Sequence, residues 1–188
     1  LMVNEGTTVY DIPYGDGGYT TYGAAGITVL GKNDPTDPTE LTVNGADVCV
    51  TGFAVSGNGS TDNTSITINS GSLESTASNA IFYPQVGDLT ISGGTVKGTS
   101  GVQYCGAGTV TIEDDAMIIA TGPYTEFPDK PASQGDGSTD DGAAVAFISR
   151  GGGYQSEGDA IVVNITGGTL ISENNAAVSV YRLQNNGG

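Results

Sequence analysis

The sequence predicts an all-β fold: a right-handed parallel β-helix, a solenoid of about five to seven coils with one long loop insertion. Three observations lead there. First, an apolar–polar–apolar phrase recurs as Leu41-Thr42-Val43, Ile66-Thr67-Ile68, Leu89-Thr90-Ile91, Val110-Thr111-Ile112 and Val163-Asn164-Ile165, with starts 25, 23, 21 and 53 residues apart. Second, each copy is followed, five positions after its second apolar residue, by another: Val48, Leu73, Val96, Met117 and Leu170. Third, glycine makes up 31 of 188 residues, against a usual share of about 7%, and shows no period of three. A chain that turns every few residues and returns apolar side chains at a fixed offset suits stacked short strands. No single unit could bury its apolar face alone. A β-sandwich would not hold that offset across units, and the Leu/Asn spacing of a leucine-rich repeat is missing.

Taken in order, residues 1–40 read as an N-terminal cap and first strands, with the cap over Val3 to Tyr22 and a strand at Ile27-Thr28-Val29. Residues 41–183 read as coils. In each, alternation such as Leu89/Ile91 around Thr90 gives a strand with one buried face. A small-residue turn such as Ser92-Gly93-Gly94 follows, and a second strand starts at Val96. A polar turn, Thr99-Ser100-Gly101, leads to a third at Val102 and Tyr104. Ala80-Ile81-Phe82, Ala143-Ala144-Val145-Ala146-Phe147 and Val178/Val180 are the equivalent third strands. Stacking would then build internal columns from Val43, Ile68, Ile91, Ile112 and Ile165, and from Val48, Leu73, Val96, Met117 and Leu170. The turn column reads Ala46, Gly71, Gly94, Asp115 and Gly168, where glycine points to positive φ. With no tryptophan and few aromatics, the expected core is narrow and aliphatic. Residues 184–188 read as a linker or cut end.

The formal charge is −16, from 21 acids against Lys32, Lys97, Lys130, Arg150 and Arg182. Five scattered cations cannot build the phosphate-neutralising face that nucleic acid requires, and an anionic membrane surface repels such a chain. No apolar stretch approaches the roughly 20 residues of a membrane helix, so no membrane insertion is expected. Leu1 to Gly6 lack the basic start and apolar run of a signal peptide, and the expected origin is a trimmed mature chain or part of a longer one. Cys49 and Cys105 hold different places in their repeats and are expected to be free.

Leu89-Thr90-Ile91-Ser92-Gly93-Gly94-Thr95-Val96 and Ile165-Thr166-Gly167-Gly168-Thr169-Leu170 resemble repeats of secreted bacterial right-handed parallel β-helix proteins. These include surface adhesins and carbohydrate-binding β-helix domains of gut and biomass-degrading bacteria. The resemblance spans about three quarters of the chain and is one of fold, with no site motif to transfer. It implies a secreted or cell-surface location, acidic plant polysaccharide as a ligand class, and bound calcium.

The anomalous 53-residue gap is where chemistry could sit, since long loops on a rigid scaffold concentrate function. Two insertions, about 121–142 and 149–160, carry Glu126, Asp129, Asp136, Asp140, Asp141, Glu157 and Asp159. Asp136-Gly137-Ser138-Thr139-Asp140-Asp141 is the candidate Ca2+ site, with Asp136, Asp140 and Asp141 as ligands, because hard cations want oxygen donors on flexible loops. It lacks the order of an EF-hand, and a solvated polar turn is the plainer alternative. A fainter echo lies at Asn58-Gly59-Ser60-Thr61-Asp62-Asn63. Tyr124, Phe127 and Tyr154, with Arg150, are the candidate ligand-binding residues: rings that stack on a polysaccharide or host cell-surface glycan, or else pin the loops down.

Catalysis has little to stand on. Without histidine there is no Ser–His or Cys–His pair. Adjacent acids such as Asp114-Asp115 point oppositely on a strand, unlike the paired carboxylates of glycosidases. The histidine and Arg-x-Lys element of polygalacturonases are missing. A calcium-dependent polysaccharide lyase, with Arg150 as its only well-placed base, is the remaining enzyme reading. The Thr42/Thr67/Thr90/Thr111 column is ordinary strand chemistry rather than an ice-binding array. The expected function is therefore non-catalytic adhesion or carbohydrate binding, and the alternative is a spacer stalk in a surface protein. The sequence leaves the oligomeric state open.

Overall fold

The computed structural model describes residues 1–10, 25–124, 138, 140–150 and 160–184. Every regular element among them is a β-strand, and every strand pairing is parallel. The strands are β1 (Met2–Asn4), β2 (Thr8–Tyr10), β3 (Ala25–Thr28), β4 (Thr39–Val50), β5 (Phe53–Ser56), β6 (Thr64–Ser75), β7 (Ile81–Tyr83) and β8 (Gly87–Ile91). They continue as β9 (Thr95–Gly98), β10 (Val102–Tyr104), β11 (Gly108–Ile112), β12 (Met117–Ala120), β13 (Val145–Arg150), β14 (Ile161–Ile165), β15 (Thr169–Ser172) and β16 (Val178–Gln184).

Ten of these strands form one sheet and six another. The larger sheet is sharply bent, because β4 and β6 each run through a corner. The first half of β6 pairs with β8 and its second half with β9, with Gly71 between them at φ 104°. Three ladders therefore run through the molecule. The first is β1, the start of β4, the start of β6, β8, β11 and β14. The second is β2, the ends of β4 and β6, β9, β12 and β15. The third is β3, β5, β7, β10, β13 and β16. The fixed sequence offset thus becomes register: Val43, Ile68, Ile91, Ile112 and Ile165 stand directly opposite one another in turn. Val43, Ile68, Ile91 and Ile112 are fully buried.

Four expectations change. Met117 does not join the second internal column. Ile118 does, opposite Val96 and Leu170, while Met117 is 40% exposed. The corner Glu113-Asp114-Asp115-Ala116 holds one residue more than its counterparts, so the offset of five lands one position early. The positive φ falls on Asp114 (51°) rather than Asp115, and in β4 on Gly45 rather than Ala46. The expected cap over Val3 to Tyr22 begins instead as strands. Val3 lies opposite Val43 and Val9 opposite Val48, and residues 11–24 lie outside the described part. Finally, the core is not purely aliphatic. On the third ladder Tyr83 and Tyr104 stack with centroids 5.0 Å apart, and Phe147 meets Tyr104 edge-on at 6.5 Å. Their hydroxyls find partners inside: Tyr83 with Thr64 Oγ1 at 2.7 Å, and Tyr104 donating to Gly87 O at 2.6 Å. Burial pushes both phenols above the usual tyrosine range.

The register correction has a direct test. Ile118→Ala should cost about 2–4 kcal/mol in urea unfolding, as a buried isoleucine cavity does. Met117→Ala should stay within about 0.5 kcal/mol, as surface changes do. The reverse ranking would restore the offset of five.

The inner strands of the six-stranded sheet, β5, β7, β10 and the described side chains of β13, are buried on both faces. Its outward residues Phe53, Phe82, Cys105, Ala146 and Ile148 form a second apolar cluster, with Phe53 and Phe82 5.2 Å apart. Among them runs a polar ladder in which Asn79 Nδ2 donates to Gln103 Oε1 at 2.7 Å. The outward residues of the larger sheet, by contrast, are mostly small, polar and partly exposed, as in the Thr42, Thr67, Thr90 and Thr111 column. Cys49 is exposed and Cys105 buried, and neither forms a disulfide. No helix among the described residues is long and apolar enough to cross a membrane.

Candidate functional site

The long gap between the fourth and fifth copies opens where β12 ends. Gly122 N donates to Thr99 O at 2.9 Å, so the chain leaves the scaffold against the turn of the preceding unit. It returns beside its point of departure: a Cβ on Gly142 would lie only 2.7 Å from Pro123 O. The first insertion is therefore closed at a neck, and Tyr124 stands just outside it, 58% exposed.

The returning side of the neck is fastened through Ser100, a fully buried residue of the turn before β10. Its Oγ donates to Asp141 Oδ1 at 3.2 Å and accepts from the backbone N of Asp141 at 3.1 Å and of Gly142 at 2.9 Å. One donor and two acceptors are all that a hydroxyl has. Asp141, 1% exposed, also receives Ala143 N on Oδ1 at 3.0 Å and the Tyr181 hydroxyl on Oδ2 at 2.7 Å. Asn175 Nδ2 holds its carbonyl at 2.6 Å, and Ser172 Oγ holds that of Gly142 at 2.7 Å. Burial above all pushes the Tyr181 phenol above the usual tyrosine range; a hydrogen bond with Ser179 opposes it, the hydrogen bond and charge of Asp141 add to it, and Asn175 opposes it least. Asp140 is half-buried and accepts from Thr99 Oγ1 at 2.9 Å.

Of the sequence-predicted site residues, the chain neighbours Asp140 and Asp141 stand on the returning side of the neck and Tyr124 on the departing side. Asp141 serves as an anchor whose two oxygens both accept protein hydrogen bonds. A carboxylate oxygen keeps a further lone pair under one such bond, so Oδ2 retains acceptor capacity. Arg150 is the last residue of β13. Its side chain, and Asp136, Phe127 and Tyr154, lie outside the described residues. Sequence reasoning missed Ser100, Asn175 and Tyr181. Ser100 read as one more turn residue, and nothing local in the sequence signals that its hydroxyl serves a chain segment 41 residues away.

The echo at 58–63 is a pair of loops tied to each other. Asn58 Oδ1 accepts from Ser60 N at 3.0 Å, Asn33 Oδ1 from Asp62 N at 2.7 Å, and Lys32 pairs with Asp37. The buried oxygens Asp62 Oδ1 and Gln85 Oε1 have no hydrogen-bond partner there. Among the described residues no three Asp, Glu, Cys or His side chains converge.

Compared with protein-family models, curated proteins and solved structures, the chain matches none of them.

Proposed function

We propose that this chain is a right-handed parallel β-helix domain of a secreted or cell-surface protein, and that its role is non-catalytic binding of a polysaccharide or cell-surface glycan. Three in-register parallel ladders with apolar columns between them support the solenoid. Right-handedness follows from the strong bias of parallel crossover connections toward that hand. The observation that carries the binding role is the closed neck. An insertion held at its base by Ser100, Asp141 and Tyr181, with Tyr124 exposed beside it, is a loop presented by a rigid support. In this reading the rings of Tyr124, Phe127 and Tyr154 stack on sugar faces, Arg150 and the loop carboxylates contact hydroxyls or uronates, and Ca2+ on Asp136, Asp140 and Asp141 orders the loop.

A glycan array probed in calcium tests it. Replacing residues 124–139 by a short glycine link, which the close neck can accommodate, should abolish every glycan signal of the intact chain. Tyr124→Ala should weaken the signal about tenfold, the value of one aromatic stacking contact. Unchanged binding in the deletion variant would refute the role of the insertion. The plain, small-residue outer face of the larger sheet favours a second reading, a spacer stalk, which predicts no glycan signal at all.

A further inference from the structure

Three Asn-Gly pairs occur in the sequence, Asn44-Gly45, Asn58-Gly59 and Asn186-Gly187, the last outside the described residues. Asparagine before glycine is chemically labile, because a residue without a Cβ leaves its backbone nitrogen unhindered to attack the side-chain amide before it. The structure sets the two described pairs apart. Asn58 is exposed, in the loop between β5 and β6. Its Oδ1 accepts from Ser60 N at 3.0 Å and from Ser60 Oγ at 2.9 Å. Among the described residues nothing pairs with Asn58 Nδ2 or with Gly59 N. Asn44 lies inside β4, with β1 on one side and β6 on the other. Its Nδ2 donates to Asn4 Oδ1 at 3.2 Å, and its Oδ1 accepts from Asn69 Nδ2 at 2.7 Å.

We propose that Asn58 is a site of self-modification, which deamidates through a succinimide in the folded chain while Asn44 is protected. Gly59 N loses its proton to solvent and bonds to Asn58 Cγ. Negative charge then develops on Oδ1, where the two Ser60 donors already point, and donors so placed stabilise it. The Cγ–Nδ2 bond breaks, and Nδ2 leaves as ammonia with a proton from water. Water opens the ring at either carbonyl, giving aspartate or isoaspartate. At Asn44 the same ring closure would have to turn a peptide unit out of two ladders and part the side-chain bonds to Asn4 and Asn69. The product at Asn58 puts a new carboxylate on loops that already carry Asp34, Asp37 and Asp62. Isoaspartate also adds a methylene to the turn that Thr61 N closes on Asn58 O at 3.0 Å. The reaction therefore loosens the tie in which Asn33 Nδ2 donates to Ser60 O.

Incubation of the intact chain at physiological temperature and mildly alkaline pH, followed by chymotryptic mapping, tests this. Cleavage after Phe53 puts Asn44 and Asn58 on different peptides. The Asn58 peptide should gain the mass of an amide-to-acid change and split into aspartate and isoaspartate forms, faster as pH rises. Asn44 should convert at least about tenfold more slowly, because its strand must open first. In concentrated urea the two should convert at similar rates. An intact Asn58, equal rates in the folded chain, or the same selectivity in urea would each overturn the proposal.

Discussion

Gly94→Val should leave no cooperative thermal transition, and little soluble protein. Gly94 sits at φ 78° in the corner between β8 and β9. A Cβ there would lie 2.6 Å from Gly71 O and 2.9 Å from Gly71 N. These are main-chain atoms of the unit below, held at strand spacing of about 4.8 Å, and they cannot retreat without parting the ladder. A β-branched residue is also a poor occupant of the left-handed region. Strain of this kind costs about 1–3 kcal/mol, and the backbone clash adds to it. A domain with about 5–15 kcal/mol of total stability would lose a large share. Gly94→Ala should fall between parent and valine variant, since it clashes without β-branching. A melting temperature of Gly94→Val within a degree or two of the parent would show that the corner is wrongly placed.

Asp141→Ala should lower stability to urea by about 2–4 kcal/mol, equally with calcium and with chelator. Three donors converge on its buried carboxylate: Ser100 Oγ, Ala143 N and the Tyr181 hydroxyl. Hydrogen bonds to a charged acceptor contribute about 1.5–3 kcal/mol each, and buried donors left without a partner cost more still. Asp140→Ala, at a half-buried carboxylate that accepts from Thr99, should cost about 1 kcal/mol. The Tyr181 link also sets an alkaline limit. Its phenol titrates higher folded than unfolded, so its contribution is complete below about pH 10 and fades as pH rises through the raised folded value. Equal urea midpoints for Asp141→Ala and the parent would mean that the neck is not anchored there.

How much was legible follows from which interactions are periodic. The columns through Val43 and Val48 were readable because stacking makes each unit repeat the same demand, so Ile68 and Ile91 announce Ile112. Met117 was misread because a periodic template cannot see one extra residue when the next position, Ile118, is apolar as well. The aromatic column of Tyr83, Tyr104 and Phe147 escaped because it lies on the third strand, where the connecting turns vary in length. Asp141 was legible as an acid in a loop but not as an anchor, since its partners Ser100 and Tyr181 come from units before and after it. Contacts that occur once, between segments far apart in sequence, leave no period to read.

Methyl–methyl NOE spectroscopy on Ile-, Leu-, Val- and Met-labelled protein tests the stacked register most directly. Cross-peaks are predicted between Ile68 and Ile91, Ile91 and Ile112, Leu73 and Val96, and Val96 and Ile118, all neighbours at the strand spacing. Strong peaks joining Val96 to Met117 in place of Ile118, or the absence of the Ile68–Ile91–Ile112 chain, would contradict it.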